Sequence, residues 1–285
     1  HIFIALTLGI SSLGLNAAVA VDTRVIDVVE VTWPGAAKPP ADATEIAAVI
    51  DNDVNTRWKS YTTLIGDTKD RAINFVSGQV LTTPIMLNQR MQCSGAYSDN
   101  FMNFVKSETY KRLGISNFSQ RYLVIVAPKS GCIWSGRAPL GNSKSTSGIL
   151  VLHDSDSGFV IAHELGHTFG LGHTNFLRCE SGAKDGPWGV DCKAIEYGGT
   201  LDVMGNVDTD STLSTYHQWI LGLLDTSQVK QVWLSETINL SPSDFSNGVK
   251  AIYLRDGKSA YWIEYRRKIP NVNYEAGLAI FRIDP

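Results

Sequence analysis

Residues 163–173 read HELGHTFGLGH, and this stretch decides both the fold class and the chemistry that the chain can carry. His163 and His167 are four residues apart, so an α-helix presents both imidazoles on one face, within reach of a single metal ion. Glu164 follows the first of them, where its carboxylate can hold a water molecule. Gly170 can adopt a positive φ and end the helix in a sharp turn, which brings His173 back as a third ligand.

Three histidine nitrogens occupy three positions of a tetrahedral metal ion and leave the fourth position open for water. This arrangement is typical of a catalytic zinc site rather than a structural one. We therefore expect Zn²⁺ as the cofactor, with Glu164 as the general base that takes the proton of the water. The alternative is a non-catalytic zinc-containing module for adhesion or binding, although such a protein would not need a base beside its first ligand.

Met204 lies in a second motif, LDVMG at residues 201–205, which follows a long polar loop. A methionine alone is commonly a filler of the hydrophobic core. After a histidine motif of this length, however, it predicts a methionine turn beneath the metal.

The histidine motif followed by Met204 resembles the signature of the metzincin zinc peptidases. Within that clan the chain is most similar to the gametolysin family of secreted peptidases, because of CIWSG at 132–136, EYGGTLDVMG at 196–205 and TYHQWILGLL at 215–224. Reprolysin-like and other metzincins share HELGH with a third histidine. The resemblance implies an α+β zincin catalytic domain, with a twisted mixed five-stranded sheet, helices, an active-site helix and a Met-turn, followed by a β-rich segment.

The function that the resemblance implies is that of a secreted zinc-dependent endopeptidase, which hydrolyses peptide bonds of extracellular, cell-wall or matrix proteins. Some metzincins place a tyrosine two residues after the methionine, as a switchable ligand or an oxyanion donor. This chain has Asn206 at that position, and Tyr197 and Tyr216 are the substitute candidates.

The substrate is expected to be a protein or peptide, because in the metzincin arrangement an extended peptide pairs with the edge strand of the sheet. The candidate edge strand spans 134–140, and Ser135 and Arg137 are candidates for pairing through their main-chain N–H groups. The loop 174–204 is expected to form one wall of a specificity pocket. The candidate substrate-binding residues are Trp134, Ser135, Gly136, Arg137 and Ala138.

The first twenty residues indicate the compartment. They carry no Lys, Arg, Asp or Glu and end in Ala18-Val19-Ala20, which predicts a signal peptide over 1–20 and a secreted protein. Several glycine, serine and asparagine residues weaken the alternative of a membrane anchor. We expect a catalytic domain over 21–225 and an incomplete β-rich region over 226–285, without stable membrane insertion once the signal is removed.

Periodicity along the chain predicts alternating strands and helices before residue 225. After that point short β-like runs dominate, and Asp256-Gly257 predicts a hairpin turn. The predicted helices span 44–61, 100–113, 157–171 and 211–223, and the predicted strands span 24–33, 72–80, 121–127, 134–140 and 148–153.

Charge and cysteine content narrow the range of partners and of cellular compartments further. The 25 Lys and Arg residues against 28 Asp and Glu residues give a net charge of −3, so no nucleic-acid partner is expected. Four cysteines fit disulfides of an exported protein. The favoured pairing is Cys179 with Cys192 and Cys93 with Cys132, and the two other pairings remain open.

Overall fold

The computed structural model of this chain describes residues 22–143, 145–205, 212–257, 259–269 and 275–283. The predicted signal peptide and Asn206 lie outside these residues. The fold class is α+β, as predicted. In the described part of the chain, no helix has both the length and the apolar character needed to cross a membrane.

A mixed five-stranded sheet forms the first layer. Its spatial order is β2-β1-β3-β5-β4, and its pairs are parallel except for β4 with β5, which is antiparallel. The central strand β3 is a near-continuous apolar run, as strands buried on both faces are. The strands are β1 (Asp22–Thr32), β2 (Ile73–Met86), β3 (Arg121–Val126), β4 (Gly136–Arg137) and β5 (Gly148–Leu152).

Helices cover both faces of this sheet. The predicted helix at 44–61 is a continuous segment of α1 (Ala43–Val49), one π-helical turn at Ile50–Val54 and α2 (Asn55–Thr62). It begins in a capping box, in which the Asp42 side chain accepts from the backbone of Glu45 and the Glu45 side chain accepts from the backbone of Asp42. The two other helices against the sheet are α3 (Gly95–Arg112) and α4 (Gly158–Thr168).

The alternation of side chains along β3 divides the core in two. Tyr122 and Val124 belong to the cluster that includes residues of α1, α2 and α4, whereas Leu123 and Ile125 pack in the cluster that includes α3. Trp58 fills the first cluster. The first of these buried clusters thus lies between the sheet and α4, which carries the first two histidines.

A second sheet follows, in the order β11-β10-β9-β8. The predicted hairpin at Asp256-Gly257 is present, with Gly257 at a φ of 60°. The strands are β8 (Val229–Val232), β9 (Ala251–Asp256), β10 (Ser259–Arg266) and β11 (Gly277–Ile283).

Several predicted elements differ in extent from the structure, among them the strand at 72–80, which is the longer β2, and the helix at 100–113, which begins earlier as α3. The predicted strand at 134–140 is only the two-residue β4, and the predicted helix at 211–223 is the shorter α5 (Thr215–Ile220). The predicted loop after His173 contains an antiparallel pair, β6 (Phe176–Cys179) and β7 (Cys192–Ile195). Local periodicity missed this pair because each strand has only four residues.

Buried polar contacts join the second sheet to the part of the chain before residue 225. Oε2 of Glu264 accepts from both the backbone N and the Oγ1 of Thr215, at 2.5 and 2.6 Å. Arg266, which is 2% exposed, donates to the carbonyl oxygens of Leu201 and Thr212. The predicted division at residue 225 therefore falls between two parts that share a buried hydrogen-bond network.

Candidate metal centre

Helix α4 brings His163 and His167 together, and the turn after it adds His173. The helix ends at Thr168, and Gly170 then takes a φ of 83°. A β-carbon at Gly170 would lie 3.0 Å from the carbonyl oxygen of Gly141, so both the turn and the close approach require glycine here.

Each of the three histidine rings is oriented by a hydrogen bond at Nδ1. His163 bonds to the Val203 carbonyl and His167 to the Leu171 carbonyl, each at 2.8 Å. A ring that donates through Nδ1 keeps an unprotonated Nε2 as a ligand atom.

Nδ1 of His173 lies 3.0 Å from Oε1 of Glu196. The Nε2 atoms of His167 and His173 lie 3.0 Å apart, and one ligand atom from each of the three histidines lies within 4.8 Å of the other two. Three converging nitrogens, each oriented by a second partner, match the donor set of a metal site.

The protonation states also fit a metal. Burial lowers the pKa of His163 to about 4 and lowers the pKa of His167, so both rings are neutral at pH 7. Neutral imidazole is the form that coordinates a metal ion.

Glu164 is buried beside this centre, at 6% exposure. Its Oε2 has no hydrogen-bond partner among the described residues. Burial raises the pKa of Glu164 to about 8, while the backbone N–H of Ala138 and the charge of Arg137 act in the opposite direction. A divalent cation at the histidines would favour the ionised carboxylate.

Met204 is fully buried beneath α4, where its sulfur packs against Gly166. Its neighbour Val203 supplies the carbonyl that orients His163. The turn at 201–205 therefore supports the helix and the first histidine at once.

Asp202 holds this turn in place. It is fully buried, and its Oδ1 accepts from Thr174 Oγ1 at 2.7 Å and from Met204 N at 3.0 Å. Its Oδ2 accepts from Ser214 N at 3.0 Å and lies 2.8 Å from His217 Nδ1. Burial acts to raise the pKa of Asp202, but the charge of His217 and these hydrogen bonds outweigh it and hold the pKa well below its usual range.

The predicted substrate strand lies at the edge of the five-stranded sheet, as β4. His153 N donates to the Ser135 carbonyl, and Arg137 pairs with Val151 of β5. In an antiparallel pair alternate residues face the partner, so the main-chain groups of Ser135 and Arg137 point to β5 and not outward. Gly136 is the residue of β4 whose main chain faces away from β5, which corrects the choice of Ser135 and Arg137.

Trp134 contributes to this region differently. Its carbonyl accepts from Nε2 of His153, and its ring packs edge-on against the His153 ring with centroids 4.7 Å apart. Its contacts hold the entry to β4 against the end of β5.

The two candidate tyrosines differ in position. The ring centroid of Tyr197 lies 3.9 Å from that of His173 and 5.8 Å from that of His163. Tyr197 has a φ of 58°, and its N–H donates to Oδ1 of Asn175. Tyr216 instead packs edge-on against Trp262 of the second sheet.

Both disulfides follow the favoured pairing. Cys93 bonds to Cys132, and Cys179 bonds to Cys192. The second bridge closes the loop between β6 and β7, directly after the third histidine.

Glu196 and Asp202 are site residues that sequence reasoning did not single out, and Gly136 was expected only as part of the substrate strand, not as a neighbour of Glu164. Glu196 lies 23 residues from His173, with which it bonds, and Asp202 lies 15 residues from His217. Asp202 is adjacent to the recognised methionine motif, which was the available signal for it. The bond of Glu196 to His173 and the contact of Gly136 with Glu164 become visible only when the strands and turns are assembled.

Comparison with known proteins assigns the chain to no family. No protein-family model matches the chain, and neither does any curated protein. One solved structure it is similar to is wild-type OgpA from Akkermansia muciniphila, at 11% sequence identity and a TM-score of 0.34. The match covers 93% of this chain and 84% of that one.

Proposed function

We propose that this protein is a zinc-dependent endopeptidase of the metzincin type, similar to the gametolysin family. The observation that carries the proposal is the pairing of three convergent histidine nitrogens with Glu164, whose buried Oε2 has no partner among the residues that the structure describes. An unpartnered buried carboxylate oxygen costs stability, so its retention beside a metal site favours a catalytic role. It also disfavours a purely structural or adhesive zinc module.

His163, His167 and His173 would hold the zinc through Nε2, with Val203, Leu171 and Glu196 fixing the rings. Zn²⁺ fits a set of three neutral nitrogens with an open fourth position. When bound there, the ion would supply Lewis acidity, which lowers the pKa of water and polarises a peptide carbonyl.

Glu164 would carry the proton transfers. A carboxylate oxygen of Glu164 accepts a proton from the attacking water as the new C–O bond forms at the scissile carbonyl carbon. The same carboxyl group then gives that proton to the leaving nitrogen as the C–N bond breaks. Water is consumed, and the products are one carboxyl and one amino terminus.

The edge of the five-stranded sheet would bind the main chain of the substrate. Gly136 lies beside Glu164, and its outward main chain is free of a partner strand in the described part of the sheet. An extended peptide that pairs there would pass the carboxylate of the base. Main-chain hydrogen bonds of this kind contribute affinity that does not depend on the side chains of the substrate.

We also propose that the protein acts outside the cell. Its two disulfides support this, because such bonds persist in oxidising compartments.

The test is metal exchange with two readouts. The purified protein is stripped with a chelator, dialysed and reloaded with Zn²⁺, its zinc content is measured by mass spectrometry, and a peptide library is digested at each stage. We expect one zinc per chain when loaded and cleavage only in that form. A fully zinc-loaded protein that cleaves no peptide or protein would contradict the proposal.

A further inference from the structure

The guanidinium of Arg137, at the edge of the five-stranded sheet, is an incompletely paired cation. Oδ1 of Asp99, on α3, lies 3.8 Å from its Nη2, which is too far for a hydrogen bond. Its Nε is buried and has no hydrogen-bond partner among the residues that the structure describes. Because a buried donor without a partner costs stability, the side chain has an unmet need for an acceptor. It is 33% exposed, so a ligand can reach it.

The position of Arg137 places this cation at the proposed catalytic edge. Arg137 pairs with Val151, which packs in the cluster that includes α3, whereas the neighbouring Gly136 lies against Glu164 of α4. The side chain of Arg137 is therefore on the other face of β4 from Glu164. Burial raises the pKa of Glu164, and the charge of Arg137 is one of the influences that oppose this rise, so the guanidinium lies within electrostatic range of the proposed base.

An extended peptide that pairs with the outward main chain of Gly136 would place one of its side chains beside Arg137. Residues directly opposite each other on paired strands have β-carbons about 4.5–5.5 Å apart and share a face of the sheet. The main chain of Arg137 faces β5, so in antiparallel pairing the peptide residue opposite it belongs to a non-hydrogen-bonded pair, the kind in which side chains lie closer. That peptide side chain projects on the α3 face, next to the guanidinium.

We propose that the side chain of Arg137 binds a carboxylate of the peptide substrate, close to the scissile bond, and thereby determines substrate choice. The proposal rests on the proposed peptidase function. A carboxylate is the matching group, because its two oxygens accept two parallel hydrogen bonds from a guanidinium and its charge is opposite. An acidic side chain and the C-terminus of a peptide both offer this group, and the binding experiment below distinguishes them.

The first test measures selectivity as a ratio within each protein. In one peptide that the parent cleaves, each position around the scissile bond is occupied in turn by Glu or by Gln, with both ends blocked. The parent should favour Glu at one position by about fivefold or more in kcat/KM, and about 0.5 M salt should reduce this preference. If the carboxylate is that of the C-terminus, the same preference appears instead for a free over an amidated end.

The variants then locate the preference. Arg137→Gln should reduce it to less than about twofold, and Arg137→Lys should leave an intermediate value, because lysine keeps the charge without the planar fork. Taking the ratio cancels any effect of these variants on turnover through Glu164. Arg255→Gln is the matched control, because Arg255 is an exposed arginine on β9, and it should keep the parent's preference. Zinc content and thermal unfolding show that each variant is folded.

The second test measures binding without turnover and identifies the source of the carboxylate. Zinc-loaded Glu164→Gln protein is titrated by calorimetry with three forms of one peptide: internal Glu with an amidated end, internal Gln with an amidated end, and internal Gln with a free C-terminus. Tighter binding of the first form than of the second identifies an acidic side chain, and tighter binding of the third than of the second identifies the C-terminus. Adding Arg137→Gln should abolish either difference.

The outcomes separate the two proposals. If the parent cleaves peptides but no carboxylate raises kcat/KM or affinity, or if the preference survives in Arg137→Gln, the role of Arg137 is overturned and the peptidase proposal stands. If the zinc-loaded parent cleaves nothing but a carboxylate strengthens binding only when Arg137 is present, the carboxylate site stands and the peptidase proposal falls. If cleavage and this binding difference are both absent, both proposals are overturned.

Discussion

The main chain of Gly136 lies directly against the side chain of Glu164. A β-carbon at position 136 would lie 2.8 Å from Cγ of Glu164 and 2.9 Å from its Oε1, closer than side chains approach one another. The edge strand and the proposed general base are therefore fitted to each other, and glycine is required for contact rather than for backbone conformation.

Gly136→Ala should displace the Glu164 carboxylate and reduce peptide turnover by about tenfold or more, because misplacement of a catalytic group by a fraction of an ångström is costly. Zinc content, measured by mass spectrometry, should not change. Gly277→Ala is the control, because a β-carbon there meets nothing within 4 Å. Full activity of Gly136→Ala would show that Glu164 tolerates the displacement or is not the base.

Glu196→Gln should weaken zinc binding by about 10- to 100-fold, since the carboxylate at Nδ1 of His173 orients that ligand and raises its basicity. Competition with a chromogenic chelator measures the affinity. Glu180→Gln is the matched control, because Glu180 is exposed and pairs only with Lys193 in the described structure. Equal zinc affinities in the two variants would remove Glu196 from the metal site.

Asp202→Asn should lower the free energy of unfolding at pH 7 by about 3 kcal/mol, because it breaks a fully buried pair with His217. The pKa of Asp202 is depressed in the folded protein, so its contribution is complete above about pH 4, the usual aspartate value, and is lost as the pH falls through the folded pKa. The gap between parent and variant should therefore narrow below about pH 4.

Urea denaturation at pH 7 and at pH 3 measures this gap. Asp191→Asn serves as the control, because Asp191 also has a lowered pKa but is not buried, and its replacement should change stability far less. A gap between Asp202→Asn and the parent that is the same at both pH values would contradict the assignment.

Arg266→Met should destabilise the chain by about 3 kcal/mol, since it leaves Glu264 buried without its ion pair. It also releases the carbonyls of Leu201 and Thr212, which flank the Met204 turn, so zinc affinity should fall as well. Thermal unfolding and the chelator competition check the two effects. Arg255→Met, on the exposed end of β9, should change neither.

The spacing of the histidines predicted the helix that carries them and the turn that ends it. Few other structures place His, Glu and Gly at these intervals. The central strands were equally predictable, since β3 is an apolar run long enough to be read without context. The short elements were not. The β6 and β7 strands have four residues each, and the Cys179–Cys192 disulfide joins them. Strands this short leave no periodic pattern of apolar residues in the sequence.

The supporting residues of the site were less visible for a different reason. Glu196 and Gly136 act through contacts with residues far away in sequence, His173 and Glu164. Arg266 reaches the Met204 turn from a strand that the sequence placed in a separate region. Contacts of this kind depend on how the elements pack, and periodicity carries no information about them.

The most direct measurement compares the zinc-loaded parent with zinc-loaded Glu164→Gln in the digestion of one peptide library, at equal zinc content. Glutamine has nearly the same shape as glutamate but cannot accept the proton of the water, so turnover should fall by about a thousandfold while zinc is retained. Equal turnover by the two proteins would contradict the assignment of Glu164 as the base. Absence of cleavage by the loaded parent would contradict the peptidase itself.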